Sequence, residues 1–124
     1  MNGVTMMWSI TGKWPGVSMA GRLTNAEFLS GMMSEIIKTA GLTEVDNSKF
    51  TYSFPAQDGS DVSGVTGMVV LLESHLSLHT WPETSYMRLE LSSCRILDPD
   101  VLEKVHSYLR TWFGGKQIYE ESKW

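Results

Sequence analysis

Two helix-period stripes, set apart by a long run of alternating segments, constrain the fold more than any other feature of this chain. From Asn25 to Ala40 the residues Phe28, Leu29, Met32, Met33, Ile36, Ile37 and Ala40 recur at i, i+3, i+4 and i+7. That spacing gathers them on one face of a helix. Thr24 with Glu27 reads as a capping box, and Gly41 stands where the helix should end. The paired methionines fit core packing, where a flexible thioether fills irregular gaps. The second stripe is Val101, Leu102, Val105, Leu109, Trp112 and Phe113. Asp98 is a good N-cap for it, Pro99 suits the first helical position, and Gly114 and Gly115 stop it. His106 lies off the densest apolar positions and reads as a structural histidine.

The segments around these helices have the period of strands. Val4, Met6, Trp8 and Ile10 alternate with Thr5, Met7, Ser9 and Thr11. Lys49 to Phe54, Val65 to Leu72, Leu76 to Thr80 and Tyr86 to Ser92 are further strands, with a short last one near Gln117 to Tyr119. The order is strand, helix, several strands, helix, strand. It predicts an α+β fold, a two-layer sandwich with an antiparallel sheet and two main helices packed on one face. The turn-rich stretch from Pro55 to Gly64 is long enough to be a functional or mobile loop.

Composition bounds the rest. The chain has 124 residues, and 42% of them are hydrophobic. That suits one domain spanning 1–124 with a core of its own. Ten basic against fourteen acidic residues give a net charge of −4, which argues against a general nucleic-acid binder. No apolar run reaches the length of a bilayer span. Met1 to Met7 lack the pattern of a secretory signal, so the cytoplasm is the expected compartment. A lone cysteine, Cys94, forms no internal disulfide and no multi-cysteine zinc site.

Chemistry concentrates between Glu73 and Cys94, which hold a carboxylate, a hydroxyl (Ser74), two of the three histidines and the only thiol. His75 and His79 are four apart, a spacing that puts both on one face of a strand, but a third metal ligand beyond Glu73 is not evident. No metal is therefore expected. A Cys94–His79 nucleophilic pair is a second reading. A lone cysteine on a strand is ordinarily a small buried hydrophobe.

The strings Gly64-Val65-Thr66-Gly67, Leu72-Glu73-Ser74-His75-Leu76-Ser77-Leu78-His79-Thr80-Trp81-Pro82-Glu83 and Ser93-Cys94 closely resemble the bacterial S-adenosylmethionine decarboxylases. These are small pyruvoyl enzymes made as self-cleaving proenzymes. The resemblance implies a role for each residue. Ser74 attacks the Glu73 carbonyl and moves the acyl group from nitrogen to oxygen. β-Elimination then breaks the ester and leaves a pyruvoyl group, derived from Ser74, at the start of a new chain. Residues 1–73 become the β chain and 74–124 the α chain. His79 matches the processing histidine, a group that exchanges protons near neutral pH. Thr66 falls where the family usually has an assisting serine, and keeps its hydroxyl. The pyruvoyl carbonyl forms a Schiff base with the substrate amine and serves as an electron sink. Cys94 matches the residue that returns a proton to the substrate carbon. Glu83 binds the cationic substrate or holds its loop. Phe54 is the candidate to stack on adenine, with Trp81 and Tyr52 as other aromatics nearby. His75 is read as a structural strand histidine. The implied assembly is a homodimer of processed protomers.

Ser74 and His79 are five apart, so an ideal strand puts them on opposite faces. Their cooperation calls for a turn or bulge near Glu73–Ser74. Gly3 to Gly12 lacks the histidine and acid that the family usually has in its first strand, which leaves the substrate open. The readings are S-adenosylmethionine, for spermidine synthesis; another basic amino acid such as ornithine or arginine; or a non-processing regulatory homologue.

Overall fold

A computed structural model describes residues 3–11, 19–55 and 63–124. Its sheet is built from β1 (Val4–Thr11), β2 (Phe50–Phe54), β3 (Gly64–Val70), β4 (Ser74–Trp81), β5 (Tyr86–Ser93) and β6 (Lys116–Lys123). The six strands lie in the order β2-β3-β4-β5-β1-β6, and every neighbouring pair is antiparallel. The helices are α1 (Met19–Leu23), α2 (Ala26–Thr39) and α3 (Pro99–Phe113).

Alternation decides which face of the sheet is dry. Val4, Met6, Trp8 and Ile10 of β1 are buried, as are Leu76 and Leu78 of β4 and Met87, Leu89 and Leu91 of β5. They form one core with Leu29, Met32, Met33, Ile36 and Ile37 of α2 and Val105, Leu109 and Phe113 of α3. The expected α+β sandwich is therefore present, with the two long helices on one face. Nothing among the described residues covers the other face. Its β2–β3 corner exposes Phe50 (53%), Tyr52 (63%), Met68 (41%) and Val70 (51%).

Several local expectations change. Asn25, not Thr24, caps α2: its side chain accepts the Phe28 N–H at 3.0 Å, while the Thr24 hydroxyl turns back to the Gly21 carbonyl. Gly41 does end that helix, with φ +72°. Leu42 N–H reaches the Ile37 carbonyl and Gly41 N–H the Lys38 carbonyl, the paired bonds of a Schellman stop. Asp98 sits at the α3 N-cap, but its side chain makes no capping hydrogen bond. The helix α1 had no periodic signal, because five residues are too few to show one. It is tied to the sheet by Thr80, whose buried hydroxyl donates to the Leu23 carbonyl at 2.8 Å. The last strand has eight residues rather than three, since pairing with β1 along its full length overrides its polar sequence. His106 is structural, as read: its Nδ1 accepts the Trp8 indole N–H at 2.9 Å. Most of the loop between Pro55 and Gly64 lies outside the described residues.

Candidate active site

The strand β3 ends at Val70 and β4 begins at Ser74, so the chain turns sharply between them. Leu71 N–H donates to the Ser74 carbonyl at 3.0 Å, with Leu72 and Glu73 at the tip of the turn. Leu72 is 73% exposed there. The neighbouring strand ends alongside, because Ser74 pairs with Ser93. The next residue, Cys94, donates its backbone N–H to the Glu73 carbonyl at 3.0 Å. Cys94 is exposed rather than the buried hydrophobe its residue type suggests. Glu73, Ser74 and Cys94 thus form one cluster around a single peptide bond.

His75 joins this cluster, although it was read as structural. Its Nδ1 lies 3.1 Å from the Ser74 hydroxyl oxygen, and its Nε2 lies 3.9 Å from Glu90. Adjacency to Ser74 was the only signal in the sequence, and it does not say which way a ring points.

A second cluster sits toward the far end of β4. Thr66 and His79 are cross-strand partners, and the Thr66 hydroxyl oxygen lies 2.8 Å from His79 Nδ1. Phe54 stacks on the imidazole, with ring centres 5.0 Å apart and planes at 22°. Trp81 packs on it at 4.1 Å, and Tyr52 stacks on Phe54 at 6.5 Å. Burial lowers the His79 pKa from the ordinary histidine value, and the charge of Glu83 opposes that only in part. The imidazole is therefore neutral at pH 7 and free to accept a proton. Glu83, in the 3₁₀ turn after β4, keeps one buried carboxylate oxygen with no hydrogen-bond partner among the described residues. A depression of about 240 Å³ lies against Thr66 and His79, with Met68, Ser77, Arg88 and Glu90 on its other walls. Complete small-molecule sites are larger, ~300–1,000 Å³.

The two clusters do not meet within one chain. The expected bend exists, but it precedes Ser74, and β4 runs regularly from Ser74 to Trp81. Ser74 therefore shares the parity of buried Leu76, Leu78 and Thr80, and His79 that of half-exposed His75 and Ser77. Five residues of strand also separate them by about 16 Å.

Comparison with known proteins agrees on one family. The family model for S-adenosylmethionine decarboxylase matches residues 16–122. The S-adenosylmethionine decarboxylase proenzyme of Prochlorococcus marinus (strain MIT 9313) is 35% identical over 95 residues, covering 77% of this chain and 68% of that protein. The proenzyme of the same name from Thermosipho melanesiensis is 36% identical over 98 residues, covering 78% and 67%. Across such relatives the chain spans from 51% to 68% of their own length. The crystal structure of the adenosylmethionine decarboxylase from Aquifex aeolicus superposes with a TM-score of 0.70 at 25% identity, covering 98% of this chain and 88% of that one. With the family model matching most of its length, this chain belongs to the S-adenosylmethionine decarboxylase family.

Proposed function

We propose that this protein cleaves itself between Glu73 and Ser74 and then decarboxylates S-adenosylmethionine. The observation that carries the reading is the 3.0 Å hydrogen bond from Cys94 N–H to the Glu73 carbonyl. It polarises the one carbonyl that the Ser74 hydroxyl must attack. It is also aimed where negative charge grows as that carbon becomes tetrahedral.

Ser74 Oγ bonds to the Glu73 carbonyl carbon, and His75 Nδ1, 3.1 Å from that oxygen, is placed to take the hydroxyl proton. The carbon–nitrogen bond then breaks as the nitrogen takes that proton from His75, leaving an ester and a free Ser74 amine. Removal of the Ser74 α-proton expels the Glu73 carboxylate. Water hydrolyses the resulting enamine, through its imine form, to ammonia and a pyruvoyl group. When present, that group supplies the electron sink for loss of carbon dioxide. The residues around it fit: the serine precursor, a turn that can rearrange, and Cys94, exposed and bonded through its backbone to Glu73, whose thiol returns a proton to the substrate carbon.

The proton acceptor for the elimination is His79, neutral at pH 7 and bonded to Thr66. One chain keeps it too far from Ser74. A homodimer apposed through the uncovered sheet face removes that separation, with each copy lending Thr66 and His79 to the other's cleavage turn, where the Ser74 hydroxyl already lies 3.1 Å from His75, a residue of that face. The apolar corner of Phe50, Tyr52, Met68 and Val70 supports that contact. In the same frame Phe54 stacks on adenine, and Glu83 binds the cationic substrate or holds its loop.

Intact mass under denaturing conditions tests the reading. The expected result is two fragments divided at Glu73–Ser74, the second with a blocked pyruvoyl start, and carbon dioxide release from S-adenosylmethionine. A single 13.9 kDa chain that persists through long incubation would favour a regulatory homologue. Two fragments with release only from ornithine or arginine would replace the substrate and keep the mechanism.

A further inference from the structure

The segment joining α2 to β2 is tied to the cleavage turn along its length. Val45 N–H donates to the Val70 carbonyl at 2.9 Å, and Leu72 N–H to the Thr43 carbonyl at 3.0 Å. Glu44 bridges to Leu71. The Ser48 hydroxyl donates to the Val45 carbonyl at 2.7 Å and accepts the Val70 N–H at 3.1 Å. At the tip, Thr43 grips Glu73. Its backbone N–H donates to one carboxylate oxygen at 2.9 Å, and its hydroxyl to the other at 3.4 Å.

Glu73 is therefore held at two points. Its carbonyl is fixed by Cys94 N–H on the β5 side, and its side chain by Thr43 on the other. Without the second hold, rotation about Glu73 can carry the carbonyl off its donor and out of line with Ser74 Oγ. The backbone bonds of Leu71 and Leu72 hold the turn but not the Glu73 side chain, and Leu72 beside it is 73% exposed. The two bonds to the carboxylate are charge-assisted and directional, and they lie near the surface. They add little to overall stability, whereas a small misplacement of reacting atoms costs much in rate.

We propose that Thr43 is a positioning residue for self-cleavage. By holding the Glu73 carboxylate it keeps the Glu73–Ser74 peptide against the Cys94 N–H, in reach of the Ser74 hydroxyl. The inference rests on the self-cleavage reading above.

The test follows cleavage of the freshly synthesised full chain by intact mass over time. The variants are Thr43→Val, Thr43→Ser, Glu73→Ala and the Thr43→Val/Glu73→Ala double. Glu73→Ala should slow cleavage about tenfold or more and Thr43→Val about threefold, a fraction of the hundredfold that gross misplacement costs. Thr43→Ser should restore the wild-type rate. The double variant should be no slower than Glu73→Ala alone, because Glu73→Ala already removes the hydroxyl contact that Thr43→Val loses. Melting temperatures, read in the uncleavable Ser74→Ala chain, should barely move with Thr43→Val. Thr43→Val cleaving at the wild-type rate would overturn the proposal. So would a full extra slowing in the double variant, or a rate loss matched by a loss of melting temperature. A wild-type chain that never cleaves would overturn the self-cleavage reading itself and this inference with it.

Discussion

The two ends of β4 are built on different principles. At the Ser74 end most contacts are donated by backbone N–H groups: the turn bond from Leu71, the Cys94 N–H on the Glu73 carbonyl, and the Thr43 N–H on the Glu73 carboxylate. At the His79 end they are made by side chains on regular strands: a hydroxyl on an imidazole, and two aromatic rings packed against it. In the proposed self-cleavage the first end serves one reaction of one peptide bond, and a turn suits it because a regular ladder would lock that bond. The second end offers a proton acceptor and stacking surfaces that serve any ligand placed against them. A chain that cleaves once and then turns over substrate needs both kinds of site, and here they lie about a strand length apart.

Removing a group from one end should therefore fail differently from removing one at the other. The largest effect belongs to Ser74→Ala, which should abolish cleavage outright, because no hydroxyl remains to form the ester. Intact mass should show one chain at every time point. Next is His79→Ala. Loss of a general base costs on the order of 10²–10⁴ in rate, so cleavage should slow by that much while the fold persists by circular dichroism. Cys94→Ala separates backbone from side chain at the first end. Its N–H survives, so cleavage should go on near the wild-type rate, while carbon dioxide release should fall on the order of a hundredfold. A Cys94→Ala chain that fails to cleave would show that the thiol, not the amide, serves the first step.

Acid should act on the second end. The His79 pKa is lowered from its ordinary value of 6.5, by burial above all, so the imidazole stays neutral as pH falls to that value. The cleavage rate should hold down to about pH 6.5 and then decline as pH falls through the lowered pKa. A midpoint above 6.5 would mean that another group is titrating. The smallest effect is expected outside both ends. His106→Ala removes the acceptor of the Trp8 indole N–H and should cost roughly 1–2 kcal/mol of stability in denaturant unfolding. Burial also lowers the His106 pKa. Wild-type stability should thus be full above about pH 6.5 and weaken toward acid, where protonation opposes the Trp8 bond, and His106→Ala should flatten that slope. Cleavage should not change.

Much of this was legible in the sequence, for reasons that differ by element. The helix stripes at 25–40 and 98–113 and the alternation of Val4 to Thr11 are direct images of the buried faces. The chemical string from Gly64 to Cys94 named the family, because its motif residues stand at fixed spacings. What stayed hidden was whatever depends on direction or on distant neighbours. The cap moved from Thr24 to Asn25 because two adjacent residues of similar capping strength compete locally. Thr43 carries no motif, and its grip on Glu73 joins residues 30 positions apart. His75 looked like a strand histidine until its ring was seen beside Ser74. The parity of Ser74 and His79 was countable from the start. The bend expected to reunite them instead falls before Ser74 and leaves them apart.

In the proposed dimer the two ends of β4 act together only across two copies. Co-expressing distinguishable Ser74→Ala and His79→Ala chains tests it most directly, with intact mass as the readout. Each alone should remain whole or nearly so. Together, the His79→Ala chain should be cleaved, using the histidine of its Ser74→Ala partner, and the Ser74→Ala chain should stay intact. If the wild type cleaves but the His79→Ala chain stays whole inside a demonstrated mixed dimer, the histidine acts within its own chain and the split-site account is wrong.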